Sequence, residues 1–234
     1  MTPETVEPRA ACAIHFIIWD FNGTLIDDLD AVVASVNTQL VRRGLSALTS
    51  SEYREVFGFP VEDYYRRIGL EFESETMADL AADFFAEYTP RLMTCSLHDG
   101  VADVLETLAD AGVRQFVLSA MEEGMLRSML RHVGIDGFFE DIYGLADQEA
   151  TSKITRGEEL LRDLGIDPAA ALLIGDTDHD AEVGVALGVS TILVARGHQA
   201  EGRLRAANGR VLGDIRELPS LLVNEGTLAR RQSV

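Results

Sequence analysis

Residues 13–25 read Ala13-Ile14-His15-Phe16-Ile17-Ile18-Trp19-Asp20-Phe21-Asn22-Gly23-Thr24-Leu25. From Ala13 to Trp19 the run is nearly continuous in apolar residues. It lacks the alternation of a half-exposed strand, so it predicts a strand covered on both faces, as in a parallel sheet. The run stops at an acid and a Gly-Thr turn. Such a turn presents a carboxylate together with backbone N–H groups that suit an anion. Three later runs repeat the pattern: Phe116-Val117-Leu118, Ala170-Ala171-Leu172-Leu173-Ile174 and Thr191-Ile192-Leu193-Val194. Helical stripes lie between them. Val101, Val104, Leu105 and Leu108 form one, closed by Gly112. Met121, Met125, Leu126, Met129, Leu130 and Val133 form a second, closed by Gly134, and Leu160, Leu161 and Leu164 a third, closed by Gly165. Each stripe is a one-sided apolar face, and each glycine fits the position just past a helix end. The alternation predicts an α/β chain with a doubly wound, parallel-sheet (Rossmann-like) core.

One segment breaks the alternation. Residues 28–96 carry helical signals and no convincing strand. Leu29, Val32, Val33, Val36 and Leu40 share a face that ends at Arg42-Arg43-Gly44, where basic residues complement the helix dipole. Thr49-Ser50-Ser51-Glu52 reads as a capping box. Met77, Leu80, Ala81, Phe84, Phe85 and Tyr88 form another stripe. The organisation expected is a core of 1–27 and 97–234 with a helical cap of 28–96. An insertion after the first strand stands over the carboxyl end of the sheet, where open α/β sheets bind ligands.

Composition narrows the partners. Of 234 residues 47% are hydrophobic and 25% charged, an ordinary globular balance. The net charge of −19 repels phosphate backbones and anionic lipid, so neither nucleic acid nor a membrane is expected as the main partner. A small anionic substrate in a locally positive pocket remains compatible. Cys12 and Cys95 form no disulfide framework and have no metal-ligand spacing, and both read as small apolar residues. No stretch reaches the ~18 apolar residues of a membrane span. Met1 to Arg9 makes a poor signal peptide, so the expected location is cytoplasmic, as a monomer or homodimer.

The chemistry sits at strand ends. Leu172-Leu173-Ile174-Gly175-Asp176-Thr177-Asp178-His179-Asp180 delivers three acids after an apolar strand. Asp176 and Asp180 fall on one side of the turn. Packed carboxylates repel and call for a cation, and oxygen-only donors suit Mg²⁺. Acids at a helix start also have a purely structural use. Ser119 follows the strand Phe116-Val117-Leu118, and Lys153 comes early in a helical segment. Either is unremarkable alone. The order Asp20, Ser119, Lys153, Asp176, Asp180 is not.

That set resembles the haloacid dehalogenase superfamily of phosphohydrolases, in its phosphoglycolate phosphatase-like branch with a C1 helical cap. Asp20-Phe21-Asn22-Gly23-Thr24-Leu25 resembles the first motif, Ser119 the second, Lys153 the third and Gly175-Asp176-Thr177-x-x-Asp180 the fourth. His98-Asp99-Gly100-Val101 before an amphipathic helix is similar to the same branch. The resemblance implies a Mg²⁺-dependent phosphohydrolase for a small phosphorylated metabolite. Asp20 would attack phosphorus and form an aspartyl-phosphate. Asp20, the backbone carbonyl of Asn22, and Asp176 would bind Mg²⁺, with Asp180 in support. Ser119 and Lys153 would position the phosphoryl group. Phe21, Gly23, Thr24, Ala120 and, from the cap, Arg66 would contact substrate.

One departure matters. The first motif of that family has a second aspartate where this chain has Asn22. An amide donates hydrogen bonds but exchanges no proton near neutrality, and general acid–base catalysis is worth ~10²–10⁴ in rate. Three readings follow. In the first, the chain is a phosphatase for a good leaving group, or one in which Asp27, Asp28 or His179 supplies the proton. The second is a phosphate-ligand-binding or sensing protein with little turnover. Dehalogenation, the third, is disfavoured because the metal-type acids are present, and a mutase is disfavoured because it needs the missing acid. Asn22-Gly23 is also a deamidation-prone pair that would yield Asp or isoAsp. In the cap, Arg66 and Arg67 could meet a second substrate anion, Arg42 and Arg43 read as helix-end charges, and Phe57-Gly58-Phe59-Pro60 as a loop able to face the site. The tail from Asn224 to Val234 is expected to be loose.

Overall fold

The computed structural model describes residues 13–70, 75–145 and 152–228. The expectations for Cys12, for Met1 to Arg9 and for the end of the tail (229–234) lie outside the described residues. In chain order the elements are β1 (Phe16–Trp19), β2 (Ile26–Asp27), α1 (Leu29–Arg42), α2 (Ser50–Val56), α3 (Val61–Arg67), α4 (Met77–Leu92), β3 (Ser96–Leu97), α5 (Val101–Asp110) and β4 (Arg114–Glu122). There follow α6 (Glu123–His132), β5 (Asp141–Leu145), α7 (Lys153–Leu164), β6 (Ala171–Gly175), α8 (Asp178–Leu187), β7 (Ser190–Val194), α9 (Glu201–Ala207), β8 (Val211–Leu212) and α10 (Leu218–Asn224).

Six strands form one parallel sheet in the order β5-β4-β1-β6-β7-β8. The first strand is therefore central, with Trp19 level with Val117 on one side and Ile174 on the other. Successive side chains of β1 point to opposite faces. Ile17 and Trp19 enter a core shared with Leu105, Leu126 and Leu218 of α5, α6 and α10. Ile18 enters the other, with Leu160 of α7 and Leu187 of α8. Helices thus cover both faces, which explains why these strands read as unbroken apolar runs. Gly112, Gly134 and Gly165 all adopt positive φ at helix ends, as expected from their positions.

The methionine stripe needs one correction. Met121 belongs to β4, and α6 begins only at Glu123. Glu122 pairs with Leu145 of β5, which keeps the chain extended, and its side chain then caps α6 by accepting from the N–H groups of Gly124 and Met125.

Between β2 and β3 the described residues hold only the helices α1 to α4. The Thr49–Glu52 capping box is present at α2. β2 and β3 pair antiparallel, Ile26 with Leu97 and Asp27 with Ser96, so the two chain crossings into the insertion form a neck. A two-residue strand has no periodicity and left no trace in the sequence. No helix among the described residues is long and apolar enough to cross a membrane.

A polar bridge lies within the core. Trp19 Nε1 donates to Gln115 Oε1 at 3.0 Å, and Gln115 Nε2 donates to the Leu105 carbonyl at 2.9 Å, joining β1, β4 and α5. Gln115 is buried, so Gln115→Leu strands a donor and an acceptor away from water. The expected loss is about 2–4 kcal/mol in urea unfolding, well beyond that of a surface substitution.

Candidate active site

The loops after β1 and β6 meet at the carboxyl edge of the sheet. Asp20, Ser119, Lys153, Asp176 and Asp180 are all buried there or beside it. Asp20, Asp176 and Asp180 each offer a carboxylate oxygen, and those atoms lie within 4.8 Å of one another. Lys153, the first residue of α7, bridges two of them: its Nζ donates to Asp20 Oδ1 and, at 2.6 Å, to Asp180 Oδ1. Four of the five residues that the sequence order singled out, Asp20, Lys153, Asp176 and Asp180, therefore form one cluster.

The local backbone explains the placement. Thr177 caps α8 in a capping box with Asp180. Asp180 Oδ2 accepts from Thr177 Oγ1 at 2.6 Å, from Thr177 N at 3.0 Å and from Asp176 N at 3.2 Å. Both oxygens of Asp180 are thus engaged, one with the turn and one with Lys153. Asp176 is held by Thr24 Oγ1 at 3.1 Å and by the His198 N–H at 2.6 Å. Gly23 has φ +71, and a Cβ there would meet the Asp176 carboxylate and, at 2.6 Å, His198 Cδ2. A Cβ on Gly197 would meet Asp176 and, at 2.5 Å, the Gly23 carbonyl. Only glycines let these two loops approach so closely.

The electrostatics fit a cation site. Burial pushes Asp20 up to about 6, with Lys153 opposing and Asp180 adding to the rise. Burial likewise pushes Asp176 up to about 7, against His198 and with Asp20. Burial works against the Lys153 ammonium, but Asp180 and Asp20 hold its pKa above the ordinary value. A single ammonium shared by buried carboxylates leaves negative charge uncompensated. Hard oxygen donors of this kind match Mg²⁺.

The remaining expected residues divide. Ser119 Oγ accepts from the Met121 N–H at 3.1 Å, and Ala120 beside it is exposed. The Phe21 ring is fully buried in the core, while its backbone N–H serves the Asp20 carboxylate. Gly23 N–H goes to Asp28 Oδ1 at 2.9 Å. Arg66 is exposed and pairs with Glu62 and Asp63 of its own helix. Arg42 pairs with Glu87, and Arg43 with Glu75 and Asp83, as helix-end charges. Of the three candidate substitute acids, Asp27 is 59% exposed in the neck. His179 pairs with Glu182 and packs on Phe59 at 4.7 Å between ring centres. Asp28 is fully buried.

Asp28 anchors a network that the sequence reading missed. Asn22 Nδ2 donates to Asp28 Oδ2 and to Tyr88 Oη, both at 2.8 Å, and Tyr88 Oη donates to Asp28 Oδ2. His198 Nε2 lies 3.1 Å from Asp28 Oδ1, and its Nδ1 lies 3.2 Å from Tyr53 Oη. Tyr53 and Tyr88 come from the helical insertion, so this network joins it to the core. Around it Arg54 donates to the carbonyls of Gly197 and Arg196, Gln199 donates to the Phe57 carbonyl, and Arg203 reaches Phe57 and Asp178. The loop Phe57-Gly58-Phe59-Pro60 does face this edge: Phe57 sits 5.6 Å from the His198 ring. The available signal was Gly197-His198, a polar pair soon after an apolar strand at the same edge as Asp20.

Burial opposes charge on both members of the Asp28–His198 pair, yet their mutual attraction wins. It lowers Asp28 and raises His198 from 6.5 to about 9. A histidine raised in the folded state stabilises fully below its unfolded value and loses that contribution as pH rises through the folded one. The difference in melting midpoint between the native chain and His198→Gln, measured in chelator, is therefore expected to shrink from about pH 6.5 to above about pH 9. A constant difference across that range contradicts the charged pair.

Residues 17–194 match the profile of the haloacid dehalogenase-like hydrolases. The chain is 30% identical over 186 residues to the tyrosine-protein kinase PtkA of Mycobacterium tuberculosis, a match covering 79% of this chain and 63% of that protein. The chain thus spans less than two thirds of the length of these mycobacterial relatives. It is 28% identical over 198 residues to the phosphoglycolate phosphatase of Rhodospirillum rubrum, covering 79% of this chain and 81% of that one. A haloacid dehalogenase-like hydrolase structure from Streptococcus pneumoniae shares the fold, with a TM-score of 0.79, 19% identity and coverage of 89% and 98%. A profile running from β1 to β7 and a fold centred on the same sheet place the chain in one family: it belongs to the haloacid dehalogenase-like hydrolases.

Proposed function

We propose that this chain is a Mg²⁺-dependent phosphohydrolase acting on a small phosphorylated metabolite through Asp20, with the helical insertion as a cap over the site. The observation that carries this reading is the buried cluster in which Lys153 bridges Asp20 and Asp180 beside Asp176. Similarity to the Rhodospirillum phosphoglycolate phosphatase supports hydrolysis, and similarity to the mycobacterial tyrosine-protein kinase supports phosphoryl transfer in general.

Asp20, Asp176 and the Asn22 carbonyl would hold the ion. When bound, it supplies positive charge to the phosphoryl oxygens. Lys153 grips Asp20 Oδ1, which leaves Oδ2 to attack phosphorus. The new Oδ2–P bond forms as the bond to the leaving oxygen breaks, and water then cleaves the aspartyl-phosphate to restore the carboxylate and release phosphate. Ser119 and Lys153 position the phosphoryl group, and backbone groups of Phe21, Gly23 and Ala120 border it. Positioning and electrostatics dominate such reactions. The Asn22 amide cannot act as an acid near neutral pH and Asp28 is enclosed by donors, so the leaving oxygen departs largely as an anion. Substrates with acidic leaving groups, such as acyl or aryl phosphates, suit that constraint.

Hydrolysis of acetyl phosphate, p-nitrophenyl phosphate and an alkyl phosphate tests the reading. The expected order follows leaving-group acidity, with the alkyl ester slower by ~10²-fold or more. Chelation abolishes turnover, Asp20→Asn lowers it by at least ~10³-fold, and Asp176→Asn removes the rise in melting midpoint that Mg²⁺ gives the native chain. A chain that binds orthophosphate but turns over none of the three is the binding or sensing protein instead.

A further inference from the structure

We infer that Asn22 is a positioning residue that couples the closed cap to the nucleophile loop, and that its amide is required there because Asp28 and Tyr88 leave no place for a carboxylate. The inference deepens the proposed function, since it concerns the loop that carries Asp20.

The reasoning is a count of protons. Asn22 Nδ2, Asp28 Oδ2 and Tyr88 Oη form a triangle with a hydrogen bond along every edge. Three edges need three protons. The Asn22 amide supplies two, one to each partner, and the Tyr88 hydroxyl supplies the third to Asp28. Asp28 Oδ1 meanwhile receives the Gly23 N–H at 2.9 Å and faces His198 Nε2 at 3.1 Å. Four donors surround this carboxylate, so it acts as acceptor only. An aspartate at 22 brings no proton and sets a second carboxylate against the first, in a place where Asp28 has no exposure and Tyr88 only 5%. Tyr88, with Tyr53, carries the insertion's hydrogen bonds to this network, and it is braced by stacking on Phe84 at 5.1 Å. Asn22 lies two residues from Asp20 and immediately before Gly23, whose φ of +71 shapes the turn. Asn22 is thus the point at which the seating of α4 reaches that turn. On this view Asn22 is a donor selected by the cap, and the lost acid is a consequence.

The exchange Asn22→Asp with Asp28→Asn preserves the triangle: the amide now at position 28 would supply two protons and Tyr88 the third, to a carboxylate at position 22. Melting midpoints are read in chelator for both single variants and the double one, so no turnover is needed. Asn22→Asp is expected to fall by about 5–10 °C, as for a half-buried carboxylate set against the fully buried Asp28 in a chain of this size. The double variant is expected to regain more than half of that loss, a coupling that independent structural defects do not show. Tyr88→Phe keeps the ring stacking and removes the hydroxyl. It is expected to raise KM for p-nitrophenyl phosphate about five- to tenfold, with a smaller change in kcat, because a less populated closed cap taxes binding. The inference is overturned if Asn22→Asp melts at or above the native chain. It is equally overturned if the double variant melts no higher than the weaker single, or if Tyr88→Phe leaves KM in place. Failure of Asp20→Asn to abolish turnover sinks the hydrolase reading and leaves the melting comparison standing.

Discussion

Asp20, Asp176, Asp180 and Lys153 share one small volume at the carboxyl edge of the sheet, all nearly cut off from solvent. Removing a charge from water costs several kcal/mol, and the attraction between partners repays this only when the geometry is good. Much of the surrounding structure supplies that geometry. The central place of β1 puts Asp20 beside the end of β6, and the capping box of α8 satisfies Asp180 so that it can hold Lys153. Gly23 and Gly197 give up side chains so that two loops can close around Asp176. Even so, three acids face one ammonium. That uncompensated charge is what the proposed function would use to hold a cation.

A second polar layer stands above the first. Asp28, Asn22, His198, Tyr88 and Tyr53 join the helical insertion to the core through hydrogen bonds that are buried at His198 and half-buried at Asn22. Directional contacts of this kind hold one arrangement well and others poorly, because a shifted cap would strand buried donors and acceptors. The insertion is therefore registered against the loop that carries Asp20 and Asn22, whereas an apolar interface could slide. The two layers touch at His198, whose backbone serves Asp176 while its ring serves Asp28. Both polar layers are in this way tied to the same turn.

Much was legible from local pattern. The apolar runs around Ile17, Val117, Leu173 and Leu193 marked buried strands because both faces of the sheet are covered. The stripes of α5 and α7 marked helices, and Gly112 and Gly165 marked their ends. The acids after β1 and β6 stood out because a charge directly after a buried run is costly without a purpose. What escaped was non-local or too short to have a period. The neck of β2 and β3 is two residues a side, and Met121 was drawn into the helical stripe because its pairing partner region, around Leu145, is distant in sequence. Tyr88 counted as one more apolar position of α4, and its hydroxyl contact with Asp28 spans 60 residues.

The sequence by itself determined the kind of elements, their order and the identity of the charged residues at strand ends, since burial period and turn chemistry are properties of neighbouring residues. Only the tertiary structure decided which groups share protons. Whether Asn22 is a missing acid or a donor with a fixed pair of acceptors depends on Asp28 and Tyr88 arriving from a different turn and a different helix. The charge of Arg66 is visible in the sequence, but its pairing with Glu62 and Asp63 of its own helix is visible only in the fold. A side chain's chemistry is written in its residue type, but the hydrogen bonds and charges that direct it are set by whatever the fold places beside it.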